Sequence, residues 1–356
     1  MVIKNDPKLL EEIKRIVDIN SINMNIADML MTAFSYTDII NPDEIRQYEK
    51  EGYKEEEAIL EILYDFYQLD KNNKDNQKVM KEYVLDNLKR LDKKDYLDNP
   101  YVKAIKNTGK KDKYSLRYIN YDPYQLFAYD DIKMDGYKEN SRIGYFKEKF
   151  SYLALTEQQN IWMSLNPNEI ETMKPFIEKG KGHVLVLGLG MGYVPFMLAN
   201  KDQVKSVTVV EKEEAIINLF NDLIFPNFVN KEKIKIVKGD AVEYVTKNNN
   251  RYDYIFADLW HDPEDGLPLF VPLKKINQKI DCWLDVSMHA LLRRCMITLL
   301  EETLNGSKEE DYRFAKNYTD KIINHYYKET KNLLIEKKED LETLLTDKKL
   351  LSMLIS

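Results

Sequence analysis

The sequence predicts an α/β protein organised on a parallel sheet in the strand order 3-2-1-4-5. Three observations predict it. An apolar run, His183 to Leu187, ends directly in Gly188-Leu-Gly190-Met-Gly192, and a helix-compatible stretch, Val194 to Asn200, follows. Three later strand-like runs each end in an acid at or just past the tip: Glu211, Asp240 and Asp258. Helix-compatible segments separate these runs, as crossovers between parallel strands require.

Composition limits the alternatives. The chain has 356 residues, 44% hydrophobic and 32% charged, which is ordinary for a globular protein of two or three domains. No apolar run approaches the roughly 20 residues needed to span a bilayer, and Met1 to Pro7 lacks the apolar core of a signal peptide. Cys282 and Cys295 are too few for a disulfide framework or a structural zinc site. These features point to a cytoplasmic protein without a membrane partner. The net charge of -7 argues against a nucleic-acid partner, although a local basic patch can still serve one. A homodimer is one assembly open to it.

Residues 1–110 are expected to form a helical domain. Leu9, Leu10, Ile13, Ile16 and Val17 recur at helical spacing, and a second helix is expected from Ile22 to Tyr36. Asn41-Pro-Asp-Glu starts another, with Asn41 as cap and Pro42 in the first turn. Ala58 to Tyr67 is strongly apolar, and a further helix is expected from about Val79 to Leu91.

Residues 111–157 are expected to form a β-rich cap. Tyrosines are dense there, Ser115 to Asn120 and Gln125 to Tyr129 suit strands, and Asp122-Pro and Asp135-Gly mark turns. The basic cluster Lys106, Lys110, Lys111, Lys113 and Arg117 reads as a solvated loop. Ser164 or Asn168 is expected to cap a helix running to Lys179. This stretch leads into the first core strand and so should cross the mouth of the glycine turn, which makes Trp162 and Ser164 ligand-contact candidates.

The core is expected over residues 158–304. Glycine is needed where the chain turns sharply and where a ligand comes close. The following helix aims free amides and its positive dipole end at that ligand. The pattern Gly-x-Gly-x-Gly departs from the dinucleotide fingerprint, because Tyr193 holds the third-glycine position, which counts against a nicotinamide or flavin. Glu211 lies 23 residues after Gly188, at the tip of the second strand, where a carboxylate accepts both hydroxyls of a ribose. Asp240, after the third strand, can accept from an exocyclic amine. Asp258 ends the fourth strand, at the edge where open α/β sheets bind ligands. Cys282 to Val286 is expected as the fifth strand, with a helix from His289 to Leu304. Residues 305–356 read as two helices, Lys308–Lys337 and Glu339–Ile355. No convincing strand pair follows the fifth strand, so the sheet is open to being shortened and closed by helices.

These four strand tips resemble, in kind and order, the class I S-adenosylmethionine-dependent methyltransferases with their Rossmann-like core. The resemblance covers roughly residues 158–290. It implies S-adenosyl-L-methionine as cofactor, held by Gly188, Leu189, Gly190, Gly192, Glu211, Lys212, Asp240, Ala241 and Asp258, with Trp162 and Ser164 at the mouth. Many such enzymes carry an acid where Val186 stands. The spermidine-synthase-like branch lacks that acid, has a β-rich cap, and carries an Asp-x-x-Asp-Pro loop similar to Asp258–Pro263, which is one residue longer here. The aminopropyltransferases of that branch hold the donor's amine with an aspartate where this chain has Met191, which favours intact S-adenosylmethionine. The whole is similar to bacterial proteins of this branch described as methyltransferases.

The expected function is therefore methyl transfer by direct displacement at the sulfonium methyl, to an acceptor the sequence does not reveal. Alignment and exclusion of water would do most of the work. Asp258, His261 and Asp262 are the candidate catalytic residues, with His261 as the candidate base because imidazole titrates near neutrality. The bland alternative has His261 capping the next helix or packing on Trp260. No metal is assigned, although Asp258, His261 and Asp262 are residue types that can hold a divalent ion. The alternatives are aminopropyl transfer from decarboxylated S-adenosylmethionine, and non-catalytic binding of S-adenosylmethionine.

Overall fold

A computed structural model describes residues 1–158, 160–248, 251–308, 312 and 314–355. Its central sheet has five parallel strands, in the order Ile234–Lys238, Val204–Glu211, Gly182–Leu187, Tyr254–Ala257 and Asp281–Cys282. In chain order that is 3-2-1-4-5. The order reverses beside the first strand, so the crevice opens at the tips of Gly182–Leu187 and Tyr254–Ala257. The central strand is apolar on both faces because helices cover both. Val184 and Val186 face one apolar cluster, Leu185 and Leu187 the other.

Among the described residues, seven strands form two sheets before the core. Leu88–Arg90, Lys138–Tyr145 and Phe127–Asp135 make one. Gly109–Lys111, Tyr114–Tyr121, Phe150–Glu157 and Asn160–Ser164 make the other. The stretch holding Trp162 and Ser164 is thus the last strand of this second sheet, paired with Phe150–Glu157, and it crosses the glycine turn as an extended chain. Most of the dense tyrosines pack these thin sheets: Tyr114, Tyr121, Tyr129, Tyr145 and Tyr152 are all buried.

Several element expectations are corrected. The two N-terminal helices are one, Pro7–Ser35, because the central asparagines do not break it. Asn23 is buried, donating to the Tyr137 carbonyl (2.8 Å) and accepting from the Glu139 amide (3.1 Å). This helix contributes Leu9, Ile13 and Ile16 to one apolar cluster and Ile26, Leu30 and Ala33 to another. The helix expected over Val79–Leu91 is instead Lys74–Val79, a π-turn Met80–Val84, a 3-10 turn Leu85–Asn87 and the strand Leu88–Arg90. Asn87 explains the change, since its amide takes up the freed carbonyls of Glu82 and Tyr83.

Asn166, not Ser164 or Asn168, caps the helix Pro167–Lys179, accepting from the Glu169 amide at 3.0 Å. The fifth strand is only Asp281–Cys282, and its helix starts at Asp285 rather than His289. The tail helices are Tyr318–Thr330, Lys338–Leu344 and Asp347–Ile355. Part of the stretch expected to begin a tail helix, residues 309–311 and 313, lies outside the described residues. Leu334–Ile335 leaves the expected tail helix to pair with Val2–Ile3, apart from the core sheet. No helix among the described residues is long and apolar enough to cross a membrane.

Candidate active site

A cavity of about 540 Å³ lies at the strand tips, within the size range of small-molecule sites. Gly188 forms its floor with φ +99°, and a Cβ there would lie 1.9 Å from the Asp258 carbonyl oxygen. The fourth strand leaves the sheet against the turn, so only glycine fits. Gly190, with φ +54°, faces Met163 of the cap strand, whose Sδ would lie 3.4 Å from an added Cβ. Leu189 and Met191 complete the lining. Gly192 differs from its expected role and does not line the cavity. With φ +77°, its Cβ would meet Phe220 at 2.2 Å, so this glycine lets the turn pack against the end of the helix Glu214–Leu219, which follows the second core strand.

Glu211 lines the cavity and also holds the turn. One carboxylate oxygen accepts from the Leu189 amide (3.0 Å), the other from the Glu213 amide (2.8 Å). Each oxygen keeps a lone pair for a ligand hydroxyl. Asp240 caps the helix Ala241–Asn248, its Oδ1 accepting from the Glu243 amide at 2.9 Å. Its Oδ2 has no protein partner among the described residues. Lys212 and Ala241 also line this end. At the other end, the cap strand brings in Trp162 and Ser164. All three tryptophans of the chain, Trp162, Trp260 and Trp283, line this one cavity.

Glu169 joins the wall opposite the turn, at the start of the helix Pro167–Lys179. Loss of hydration pushes its carboxyl well above the usual range, and the Asp258 charge adds to this. Asp258 is pushed up to about 7, chiefly by loss of hydration; His261 works against the shift and Glu211 with it. Both acids hold a proton more tightly than exposed carboxyls do. The sequence signal for Glu169 was the polar helix start Asn166-Pro-Asn-Glu, but nothing local says that Glu169 turns inward.

His261 lines the mouth, with its ring 5.5 Å from Trp162 in edge-to-face contact and its Nδ1 3.3 Å from Asp265 Oδ2. It packs on Trp162 rather than Trp260, and it does not cap the helix. Asp262 does so, accepting from the Glu264 (2.7 Å) and Asp265 (3.0 Å) amides at the start of Pro263–Ile276. Asp262 does not line the cavity, so the structure removes it from the group facing a ligand. Among the described residues no group of three or more His, Cys, Asp or Glu side chains is gathered as metal ligands.

The turn is braced from below by residues that sequence reasoning did not single out. The Tyr101 hydroxyl donates to the Met191 carbonyl. Asn99 donates to the Tyr193 hydroxyl at 3.0 Å, and the Tyr101 and Tyr193 rings meet edge to face at 5.6 Å. Tyr193 thus fills the third-glycine position with a side chain directed at packing.

Residues 168–268 match the family model described as Spermine/spermidine synthase domain. That domain segment holds Glu169, the glycine turn, Glu211, Asp240 and Asp258, and ends within the helix after His261. No curated protein matches the chain. Among solved structures, the chain is similar to a spermidine synthase from Thermotoga maritima at 15% identity, with a TM-score of 0.31. That similarity covers 41% of this chain and 59% of the other, so the chain spans less than two thirds of that protein's length.

Proposed function

We propose that this protein is a transferase that takes its group from an adenosyl sulfonium, and that the group is the aminopropyl chain of decarboxylated S-adenosylmethionine. One observation carries the choice of donor. The cavity is lined by Glu169, Glu211, Glu213, Asp240 and Asp258, against Lys212 as the only permanently cationic lining side chain among the described residues. The adenosine takes the end with Glu211 and Asp240. The sulfonium substituents then extend toward Glu169 and Asp258. An amino-acid carboxylate brought there would lose hydration in the same wall that disfavours charge on Glu169 and Asp258, and would be repelled by Asp258 once that acid ionises, whereas the decarboxylated donor brings only positive charge. The match to the spermine/spermidine synthase domain supports the same reading.

In this reaction an acceptor nitrogen lone pair bonds to the donor carbon next to sulfur. The carbon–sulfur bond breaks toward sulfur, a neutral thioether leaves, and the new ammonium gives up a proton. The chain's part is to align the two reactants and exclude water.

A second reading is methyl transfer from intact S-adenosylmethionine, which Met191 favours. It stands uncharged where the resemblance implies an amine-binding aspartate. Calorimetry with both donors separates the two readings. Aminopropyl transfer predicts tighter binding of the decarboxylated donor, by about tenfold or more, equivalent to ~1.4 kcal/mol. The reverse preference would establish the methyl reading in its place. Binding without turnover of any amine would leave a non-catalytic binder.

A further inference from the structure

We propose that Asp265 is a positioning residue that sets the tautomer of His261, so that His261 receives the proton released by the acceptor. This rests on the transferase reading above. Asp265 lies in the first turn of Pro263–Ile276, where its Oδ1 accepts from the backbone amides of His261 (3.1 Å) and Asp262 (3.0 Å). Its Oδ2 lies 3.3 Å from His261 Nδ1. A carboxylate only accepts, so the hydrogen at this contact sits on Nδ1 and the lone pair is left on Nε2. Nε2 has no protein partner among the described residues, while the ring lines the cavity and rests against Trp162.

The two amide contacts fix the carboxylate relative to the backbone of the residue it orients. The imidazole therefore has one preferred tautomer and, through Trp162, one preferred face. Hydrogen bonds of this kind are often long without a ligand and shorten when it binds. As the acceptor nitrogen bonds to carbon and the carbon–sulfur bond breaks, the N–H proton moves to Nε2. The resulting imidazolium is balanced by Asp265 and, with His261 59% exposed, passes its proton to water. Asp258, deeper in the wall beside Glu169, is left to hold positive charge.

Nitrogen-15 long-range correlation spectra read the tautomer directly. The chain has four histidines, and His261→Gln assigns the signal. In the intact protein His261 should carry hydrogen on Nδ1. In Asp265→Asn, which keeps an acceptor for the amides, the population should move to the Nε2–H form. In a transfer assay that variant should lose at least tenfold in kcat with KM changed less than threefold, and Asp265→Glu should recover part of the loss. An Nε2–H form in the intact protein, an unchanged tautomer in Asp265→Asn, or an unchanged kcat overturns the assignment. The tautomer is measured without any donor, so failure of the transferase reading would be seen separately, as absence of turnover.

Discussion

Asp258 stands where the core sheet meets the glycine turn, its amide donating to the Leu187 carbonyl at 2.8 Å. Its carboxyl is pushed up to about 7 in the folded chain, first by loss of hydration. At pH 6 it is mostly protonated and at pH 8 mostly charged. A cationic ligand is held by the charged form, so affinity should rise between pH 6 and pH 8 by up to about tenfold, with proton release near pH 7. Calorimetry in two buffers of different ionisation heat measures both quantities, and affinity independent of pH would contradict the role given to this acid. Glu211 is a different case, because its carboxylate already shapes the turn through Leu189. Glu211→Ala should therefore weaken an adenosyl ligand by more than one lost hydroxyl contact, about 2–3 kcal/mol in binding. Asp240→Ala should cost less, since the cap it forms is worth ~1 kcal/mol to the helix and only Oδ2 faces a ligand. If both variants bind the donor as well as the unaltered protein, the adenosine end has been assigned to the wrong cavity.

Among the elements, the long helix Pro7–Ser35 is held by an internal polar residue. Asn23 satisfies one carbonyl and one amide at the turn of the hairpin Phe127–Tyr145. Replacing it with Leu would leave both groups without partners, at a cost of about 1–3 kcal/mol each. Thermal unfolding should show that loss, and an unchanged midpoint would mean water serves the two groups equally well. In the same hairpin, Asp131 is pushed up to about 7, by burial first and then by Asp130. A folded-state value above the unfolded one means the folded chain binds more protons. This site then favours folding less as pH rises from about 4 to 7, and it stays costly above that. Asp131→Asn should raise the melting temperature at pH 8 by about 1–2 °C, the effect of ~1 kcal/mol in a chain of this size, and change it little at pH 4. A gain of equal size at both pH values would point to packing rather than charge.

At the scale of the whole molecule, the three apolar clusters formed by the described residues share elements, the long helix Pro7–Ser35 among them. The tail helices and the first half of the long helix cover one face of the core sheet, and the cap and the helices flanking the glycine turn cover the other. The site is therefore a junction, with its floor from the core, one wall from the helix Pro167–Lys179 and its rim from the cap strand. Since all three tryptophans line it, intrinsic fluorescence should report donor binding with no label. Trp162→Phe should remove much of the signal change, because Trp162 alone comes from the rim. Full retention of the change in that variant would mean the rim does not respond to the donor.

The parts that rest on local chemistry were legible in the sequence. Glycines at positive φ, apolar runs of strand length and acids at strand tips are all dictated by neighbours in the chain, so the turn, Glu211, Asp240 and Asp258 could be read directly. It could not separate Gly190, which faces the cavity, from Gly192, which accommodates Phe220, because both look alike in a Gly-x-Gly-x-Gly run. Nor could it join the helix of Leu9 to Val17 to the one expected from Ile22, since the hairpin that satisfies the buried Asn23 lies more than a hundred residues away. That Glu169 lies within reach of the Asp258 charge, that Asp262 is consumed in capping, and that Tyr101 braces the turn follow from packing alone. In each case the partner is distant in sequence or the direction of a side chain depends on packing, and charge, burial and tautomer follow from that packing.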